Sequence, residues 1–481
     1  MSLLLVHLLF IIFGIVLLQI FKDYNFLSII YLLTSMLSFI FAIYIFYNIE
    51  ILIGTRINLL EIIPNLSINF SIDYLGSIFL LISNGLWFMT SIYSIQYLKL
   101  NKFSNEIKFY TFFMLSMFAT NAIIYSSNLL TTFIFYELLT IATYPLVTYK
   151  GNEESIINGK KYLYYLLGTS IVFLLPAIIL TYSQTGTLDY TQGGIFTDQS
   201  SLMINILLLM FVIGTAKIAI MPFHKWLPAA MVAPTPVSAL LHAVAVVKSG
   251  VFIIVKIILY IFGPAVLLNT GAIDILIALT SVTIIASSII AINQDNIKLR
   301  LAYSTIGQLS YIILATIILA PYSLLAAILH FIFHAIGKII LFLTSGILMT
   351  QLNIKNVSEM DGIARKLPYT IFLMSLGSLI MVGLPPTVGF ISKWFLIKGL
   401  IESHSIYLLL VILLSTLLNA AYYFPIIFRP YFNTSKTKDV KEIAEDPLLI
   451  GPIIIIGILA IYLFFVSDSI IMFIQKTIII I

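Results

Sequence analysis

The stretch from Lys217 to Gly250 reads KIAIMPFHKWLPAAMVAPTPVSALLHAVAVVKSG. It sets Lys217, His242 and Lys248 within apolar sequence of the kind that crosses a membrane. An ionisable group at mid-bilayer depth costs at least about 2.5–3.5 kcal/mol, so such groups point to a function. Pro222 removes a helical hydrogen bond, which predicts an interruption in the helix that carries Lys217. The stretch therefore predicts membrane helices, one of them broken, with buried titratable groups.

Composition along the whole chain points the same way. The 481 residues are 61% apolar and only 9% charged, whereas a soluble domain is about a quarter charged. The formal net charge of +5 comes mostly from loop lysines, so no nucleic-acid partner is expected. The chain has no cysteine, which excludes thiolate-held iron–sulfur clusters and disulfides. The sequence also shows no metal-ligand cluster and no nucleotide-binding glycine loop, so we expect neither a cofactor nor a metal.

Apolar runs and polar breaks predict an all-α integral membrane protein with about fourteen transmembrane helices. These spans, numbered 1–14 in chain order, are predicted to begin near Ser2, Phe26, Tyr74, Phe109, Asn128, Tyr162, Leu202, Val237, Thr270, Lys298, Tyr322, Tyr369, Ser405 and Pro447. Lysine and arginine are concentrated in the loops after odd-numbered spans. Because cytoplasmic loops carry the excess of basic residues, both termini are predicted on the non-cytoplasmic side, in a bacterial inner (plasma) membrane.

Proline interrupts two of the predicted spans. The breaks lie at residues 221–228 in span 7 and 383–386 in span 12. Freed carbonyls at membrane depth are tolerated where they line a polar cavity, and matched broken helices are typical of transporter sites. Breaks five spans apart predict a repeat in which spans 4–8 match spans 9–13. The predicted organisation is one polytopic membrane domain over 1–481, composed of 1–108 (spans 1–3), 109–261 (first repeat), 270–428 (second repeat) and 447–481 (span 14 and the C-terminus).

Three titratable residues share one face of span 11. His330, His334 and Lys338 are spaced i, i+4 and i+8, which stacks them over about two helical turns. Histidine titrates near neutrality, and burial can bring a lysine into the same range, so such a stripe can pass protons. The alternative is that each side chain only joins neighbouring helices through hydrogen bonds. Three such groups on one stripe favour the proton path.

A carboxylate and a lysine form the second candidate group. Glu137 stands alone in span 5, so a charged Glu137 needs a cation, and Lys217 in span 7 is the candidate. Movement of the carboxylate toward or away from the lysine would switch the lysine between holding and releasing a proton. A static ion pair that joins the two helices explains the residues equally well, and the sequence leaves both interpretations open.

The remaining membrane-depth groups lie on spans 8 and 12. Lys393 follows the break in span 12, and His242 and Lys248 lie about 120° apart around span 8. Lys248 is well inside its span, where extension of the side chain to the headgroups is difficult. Such extension is the serious alternative for Lys393 and the stronger one for Lys256.

Five segments resemble a known family, the antiporter-like subunits shared by respiratory complex I, related hydrogenases and Mrp-type multisubunit Na+/H+ antiporters. They are the opening stretch, FYELL around Glu137, QDNIKLRLAYSTIGQLSYI from Gln294, HFIFHAIGKIILFLTSG from His330, and GLPPTVGFISKW from Gly383. They follow one another in the family's order. The resemblance runs from about residue 73 to residue 428, which is most of the chain.

The resemblance implies fourteen helices with two inverted five-helix repeats and broken helices 7 and 12. It also implies a proton path, with half-channels gated by the pair Glu137 and Lys217. Eight residues match the family's functional positions, which are a glutamate, several lysines and the histidines that connect them. They are Glu137, Lys217, His242, Lys248, His330, His334, Lys338 and Lys393. The implied partners are other membrane subunits and the lipid bilayer, with H+ and Na+ as the transported ions.

Length, helix count and the presence of both His242 and Lys248 make the chain most similar to the D-type subunits of Mrp antiporters. The alternatives are a proton-pumping subunit of NADH–quinone oxidoreductase (complex I) or of a membrane-bound hydrogenase, and a standalone secondary solute transporter. The chain would be part of an enzyme only in the redox alternatives; otherwise it is a transporter subunit.

Overall fold

Apolar helices dominate the computed structural model, which describes residues 3–22, 26–63, 66–197, 199–268, 270–434 and 443–479. In a hydrocarbon layer each backbone group must find its hydrogen bond within the protein, and a helix satisfies this locally. Eleven of the described helices are long and apolar enough to cross a membrane. The predicted class, an integral membrane protein built of helices, is confirmed.

The first half of the chain contains spans 1–8 and one β-hairpin. Spans 1–6 are helices at Leu3–Ile20, Leu27–Tyr47, Tyr74–Leu100, Glu106–Tyr125, Leu129–Val147 and Glu153–Thr185, with a short helix Ile49–Leu52 after span 2. Span 7 is split into Ser201–Gly214, Ala216–Ile218, Trp226–Ala229 and Ala230–Val232. Span 8 runs over Thr235–Phe262 and is followed by Pro264–Leu267.

The second half contains spans 9–14. Spans 9–11 are Ala272–Ile292, Ile297–Ile317 and Pro321–Leu352, and two 3-10 turns follow at Val357–Glu359 and Ile363–Arg365. Span 12 is split into Pro368–Val382 and Val388–Glu402, span 13 is Ile406–Phe432, and span 14 is Pro447–Phe465 with a further helix Ser467–Ile479. Helices thus begin close to most of the predicted starts, and spans 7 and 12 are interrupted.

Two features depart from the sequence prediction. Strands β1 (Ile57–Ile63) and β2 (Leu66–Phe70) form an antiparallel hairpin between spans 2 and 3, in a short apolar run whose periodicity does not distinguish strand from helix. Span 6 begins at Glu153 rather than near Tyr162. Its first turns are polar, and the Asn152 side chain caps them by accepting a hydrogen bond from the Ser155 amide at 3.0 Å.

Spans 8 and 11 lie at the centre of the helix assembly. In an 18-residue apolar stretch of span 11, 100% of the residues are buried, and in the corresponding stretch of span 8, 94% are buried. In spans 1, 2, 6 and 13 only 33% of the residues in such a stretch are buried. The outer helices therefore separate the two central helices from lipid. Both central helices carry predicted site residues, so their titratable groups face other helices.

Candidate functional site

All seven basic residues of the predicted site are buried between helices. The exposed fractions are 0% for Lys217, His242, His334 and Lys338, 1% for Lys248, 5% for Lys393 and 6% for His330. Glu137 is half-buried, but both of its carboxylate oxygens are inaccessible. A buried ammonium needs hydrogen-bond acceptors in place of water, so the acceptors around each lysine define the chemistry of the site.

Lys217 is bonded to span 5 on the turns that flank Glu137. Its Nζ donates to the Tyr136 carbonyl and to the Thr140 hydroxyl, each at 2.7 Å, and lies 3.0 Å from the centre of the Tyr136 ring. Glu137 is close enough to act on the ammonium electrostatically. Neither carboxylate oxygen has a hydrogen-bond donor in the described structure, and the ion pairs within 4.0 Å found there do not include this one. The static ion pair that the sequence left open is therefore not formed in this conformation.

The break in span 7 creates the position of Lys217. The helix stops after Gly214, Lys217 follows in a 3-10 turn, and Ala219 adopts a left-handed conformation with φ 55°. The indole nitrogen of Trp226 donates to the freed Ala216 carbonyl at 2.9 Å, which fixes the second piece of the span against the first. A Cβ on Gly250 of span 8 would lie 2.7 Å from the Cβ of Lys217, so only glycine allows this close packing.

Lys248 connects span 8 to the stripe on span 11. Its Nζ donates to the Phe331 carbonyl at 2.7 Å and lies 4.6 Å from the centre of the Phe331 ring. His330 and His334 flank this carbonyl along the helix, with their ring centres 6.0 Å apart. Nδ1 of His330 is 3.0 Å from the Ser392 hydroxyl of span 12. The stripe therefore contacts spans 8 and 12 within two turns.

Lys338 has three acceptors on spans 10 and 13. Its Nζ donates to the Leu301 carbonyl at 3.0 Å, to the Tyr423 hydroxyl at 3.1 Å and to the Ser304 hydroxyl. The two hydroxyls are themselves 2.9 Å apart. A hydroxyl can donate as well as accept, so this set can hold the lysine in either protonation state.

Lys393 uses the carbonyls that the break in span 12 frees. Its Nζ donates to the Val382 carbonyl at 2.7 Å and to the Met381 carbonyl at 3.3 Å. Gly383 begins the break with φ 81°, and a Cβ there would lie 2.7 Å from Cδ of Lys393. The lysine side chain thus turns back to the end of the first half-helix instead of extending to the headgroups.

His242 lies in a π-helical turn of span 8, Leu240–Val244, and packs on Phe342 with ring centres 4.7 Å apart. Neither ring nitrogen of His242, nor of His334, has a hydrogen-bond partner among the described residues. Buried polar atoms are rarely left without partners, and π-turns are frequent at functional sites. Like the Glu137 carboxylate, these two rings therefore have no protein hydrogen-bond partner within the described ranges.

The structure brings the predicted residues together in two groups. The first, which we call the central group, is arranged around span 11, where His330, His334 and Lys338 follow one another. Lys248 donates to the Phe331 carbonyl between the two histidines, His242 packs on Phe342, one turn after Lys338, and His330 contacts Ser392, the residue before Lys393. Glu137 and Lys217 form the other group. Within the described ranges, no hydrogen bond or ion pair joins Lys217 to Lys248. A proton that passed between the two groups would therefore have to cross the region where span 8 packs against span 7.

Lys256 does not extend to the headgroups, so that alternative is wrong for this residue. It is 4% exposed, and its Nζ is 3.1 Å from Oδ2 of Asp73, which also caps span 3 by accepting from the Gly76 amide at 2.6 Å. The Nζ also lies 4.2 Å from the centre of the Tyr190 ring. Asp73 comes from a polar break far away in sequence, so no local spacing of residues predicts the ion pair of Asp73 with Lys256.

A cavity of about 980 Å³ opens on one side of the helix assembly. We call it the vestibule; five lysines line it, and they are Lys150, Lys161, Lys225, Lys298 and Lys355. The loops that follow spans 3, 5, 9 and 11, together with the second part of span 7, all contribute to it. Within its lining, the Nζ of Lys298 donates to the Ala233 carbonyl at 2.7 Å, just before the start of span 8, the helix that carries His242. The vestibule therefore adjoins the helix that carries part of the central group.

The acceptors of the buried lysines are the part of the site that sequence reasoning missed. Backbone carbonyls such as those of Phe331 and Val382 carry no signature in the sequence. Thr140 lies one turn after Tyr136 and could have been found from its place on the helix face of that residue. Among the described residues, no group of three or more His, Cys, Asp or Glu could hold a metal ion.

Comparisons with known proteins agree with this architecture. The family model described as NADH:quinone oxidoreductase/Mrp antiporter, TM, matches residues 126–419. The antiporter subunit mnhA2 of Staphylococcus haemolyticus is 31% identical over 360 residues, 70% of this chain and 44% of that protein. NADH-quinone oxidoreductase subunit N of Desulforudis audaxviator is 30% identical over 348 residues, 71% of this chain and 68% of that protein.

A chain of the archaeal membrane-bound sulfane sulfur reductase complex has the same fold, with a TM-score of 0.87 at 22% identity over 100% of this chain and 98% of that chain. The chain spans less than half the length of the staphylococcal relative, 44%. The matched segment, residues 126–419, includes all of the predicted site from Glu137 to Lys393. The chain belongs to the family of NADH:quinone oxidoreductase and Mrp antiporter transmembrane subunits.

Proposed function

We propose that the chain translocates protons as the D-type subunit of a multisubunit Na+/H+ antiporter, with Na+ exchanged by the assembly. One observation carries the proposal. His330, His334 and Lys338 follow one another along span 11, which is shielded from lipid; Lys248 contacts the Phe331 carbonyl between the two histidines, and His330 contacts Ser392, the residue before Lys393. Groups of this kind are rare at membrane depth and mark ion pathways and proton relays.

The central group provides for each step of proton transfer. Lys338 can pass a proton through the Ser304 and Tyr423 hydroxyls, because the three groups are mutually hydrogen-bonded; each hydroxyl takes up one proton as it releases its own to the next acceptor. On span 11 His334 lies between Lys338 and the Phe331 carbonyl that Lys248 contacts, and its ring nitrogens make no protein hydrogen bond in the described structure. An unsatisfied buried polar group costs about 1–3 kcal/mol. We infer that water reaches His334 and His242 and carries protons between the fixed groups.

Glu137 and Lys217 are the proposed gate. Lys217 donates to the Tyr136 carbonyl and the Thr140 hydroxyl, while the Glu137 carboxylate beside it has no donor. A rotation of the lysine side chain would exchange these two acceptors for the carboxylate. Since a lysine paired with a carboxylate holds its proton more tightly, the two positions would differ in proton affinity. The gate would thereby couple the first repeat to the central group.

The proposal also covers the orientation of the chain and the division into repeats. The basic loops after odd-numbered spans meet at the vestibule, which fits a cytoplasmic position for that side and both termini on the other, in a bacterial inner membrane. The interrupted spans 7 and 12 support two repeats over 109–261 and 270–428, with inversion and a fourteen-helix count following from the family resemblance. The other membrane subunits of the antiporter are the proposed partners.

The test is transport by the complete complex in vesicles prepared from cells that lack their own Na+/H+ antiporters. Lys217→Ala, Glu137→Ala and Lys338→Ala should abolish Na+-dependent dissipation of a pH gradient while the complex still assembles. Lys160→Ala is the matched control, because Lys160 is an exposed lysine outside the site. Full activity in any of the three variants would refute the assigned role of that residue, and full activity in all three would refute the proposal.

A second candidate function is a proton-pumping subunit of a complex I-like redox enzyme. It is favoured by the similarity to oxidoreductase subunit N, which extends over 68% of that protein. The two functions use the same path but differ in partners. Purification of the complex under mild conditions decides between them, since co-purifying quinone-reducing subunits favour the redox enzyme and co-purifying small membrane subunits without a redox centre favour the antiporter.

A further inference from the structure

The vestibule is far more positive than a passage for free cations should be. Its lining includes Lys150, Lys161, Lys225, Lys298 and Lys355, and the acidic residue there is Glu154. Within the described ranges, none of these lysines forms an ion pair with a carboxylate at 4.0 Å or less. The pKa of Lys150 is lowered by desolvation and by Lys355, with Glu154 opposing the change. The cavity therefore collects positive charge that the chain itself does not neutralise.

Backbone dipoles add to this charge. Span 10 begins at Ile297, which lines the vestibule. The N-terminus of a helix carries about half a positive charge and favours anions. The side-chain amides of Asn158 and Asn353 also line the cavity and can donate hydrogen bonds. Charges, dipoles and neutral donors thus converge on one space of about 980 Å³.

We propose that the vestibule binds a phosphate group, supplied either by an anionic lipid headgroup or by free inorganic phosphate. Lysine is a common ligand of phosphate, and basic pockets at the ends of membrane helices suit lipid headgroups. The exposed lysines Lys161, Lys225 and Lys355 would contact the phosphate oxygens, with Lys298 below them. Since phosphate cancels the positive potential that repels cations, its presence would raise transport; this consequence alone rests on the proposed function.

Binding is tested first, on the complete complex purified in a non-ionic detergent. Equilibrium dialysis with radiolabelled inorganic phosphate measures the free ion, and native mass spectrometry of the complex mixed with phosphatidylglycerol or phosphatidylcholine measures the lipid. We expect retention of phosphate or phosphatidylglycerol, and on the order of tenfold weaker binding for each lysine contact removed in Lys161→Gln/Lys225→Gln. Phosphate binding without lipid retention assigns the site to the free ion, and the reverse assigns it to the headgroup.

Lys160→Gln is the matched control, because Lys160 is the exposed neighbour of Lys161 but does not line the vestibule. It should bind phosphate or lipid as the unaltered complex does. The proposal is overturned if neither probe is retained, or if the double variant, assembled normally, binds as tightly as the control.

The effect on transport is measured in phosphatidylcholine vesicles with and without phosphatidylglycerol, and with and without phosphate. Transport should increase several-fold when the ligand is present and should lose this increase in the double variant. A complex that binds the ligand but transports no cation under any condition would refute the proposed function and leave the binding site standing. Binding without any change in transport would refute the regulatory consequence.

Discussion

The hydroxyl of Thr140 offers the sharpest test of the proposed gate. In Thr140→Val the side chain keeps nearly the same shape but loses the acceptor that Lys217 uses at 2.7 Å. A hydrogen bond to a charged group contributes about 1.5–3 kcal/mol, so the balance between the two positions of the lysine should shift toward Glu137 by roughly 10- to 100-fold. Because the proposed transport cycle needs the lysine to occupy both positions, at Thr140 and at Glu137, we expect the rate of antiport to fall by about tenfold or more.

The assay is the initial rate of Na+-dependent pH-gradient dissipation by the assembled complex in vesicles. Thr143→Val is the matched control. Thr143 lies on the same helix with the same exposed fraction of 0%, but its hydroxyl pairs with that of Tyr162 at 2.5 Å and does not contact Lys217. It should transport at close to the normal rate.

A double-mutant cycle separates competition from simple damage. If Thr140 and Glu137 compete for one ammonium, Thr140→Val in a Glu137→Gln background has no charged carboxylate toward which to shift the lysine, and the two effects should not add. The gate is refuted if Thr140→Val transports normally, if Thr143→Val loses as much activity, or if the two substitutions act independently.

Three further changes probe other parts of the site. Gly383→Ala puts a Cβ at φ 81° and 2.7 Å from Lys393, and should lower both transport and the thermal midpoint, with a cost of about 1–2 kcal/mol from the left-handed backbone alone. Tyr423→Phe removes one of three acceptors of the span 11 lysine and should slow transport by about tenfold, read from the same vesicle assay. Asp73→Asn breaks a 3.1 Å ion pair and should lower the thermal midpoint, because it leaves the buried Lys256 ammonium without its carboxylate partner.

Each of these changes has a control of the same chemistry. Gly451→Ala meets open space inside a helix and should leave the thermal midpoint unchanged or slightly raised. Tyr422→Phe removes a hydroxyl that pairs with Asn419 and spares Lys338. Glu50→Gln breaks an ion pair with Lys476 in which both side chains are exposed, and should have no measurable effect. A control that behaves like its test variant would contradict the corresponding reasoning.

Hydropathy predicted most of the helices because the bilayer imposes one physical requirement on all of them. Each must bury its backbone polar groups over a length set by the hydrocarbon core. The prediction of helix positions failed where local structure is set by capping or strand pairing instead of by hydropathy. Span 6 starts at Glu153 because Asn152 caps its polar first turn, and the hairpin of β1 and β2 forms in a run too short to show a helical period.

The candidate residues could be named from the sequence, but their contacts could not. An ionisable group within an apolar span costs free energy to bury in the membrane, and this alone identifies Lys248 and Lys338 as candidates. Their hydrogen-bond partners could not be predicted, because every residue has a backbone carbonyl like that of Phe331, and Tyr423 is one of many tyrosines. The pairing of Lys256 with Asp73 likewise depends on tertiary packing. The roles assigned to the site residues remain predictions for the experiments above to test.

The enclosure of the middle of span 11 has a consequence for how the protein responds to its host membrane. A helix whose central 18 residues are all buried is not stretched or tilted directly there when acyl chains become longer or shorter; that mismatch falls on the outer spans, such as Leu3–Ile20 and Ile406–Phe432. Acyl-chain length should thus leave the spacing of His330, His334 and Lys338 unchanged. The voltage across the membrane, by contrast, would act on any proton that the proposed path moves along that helix.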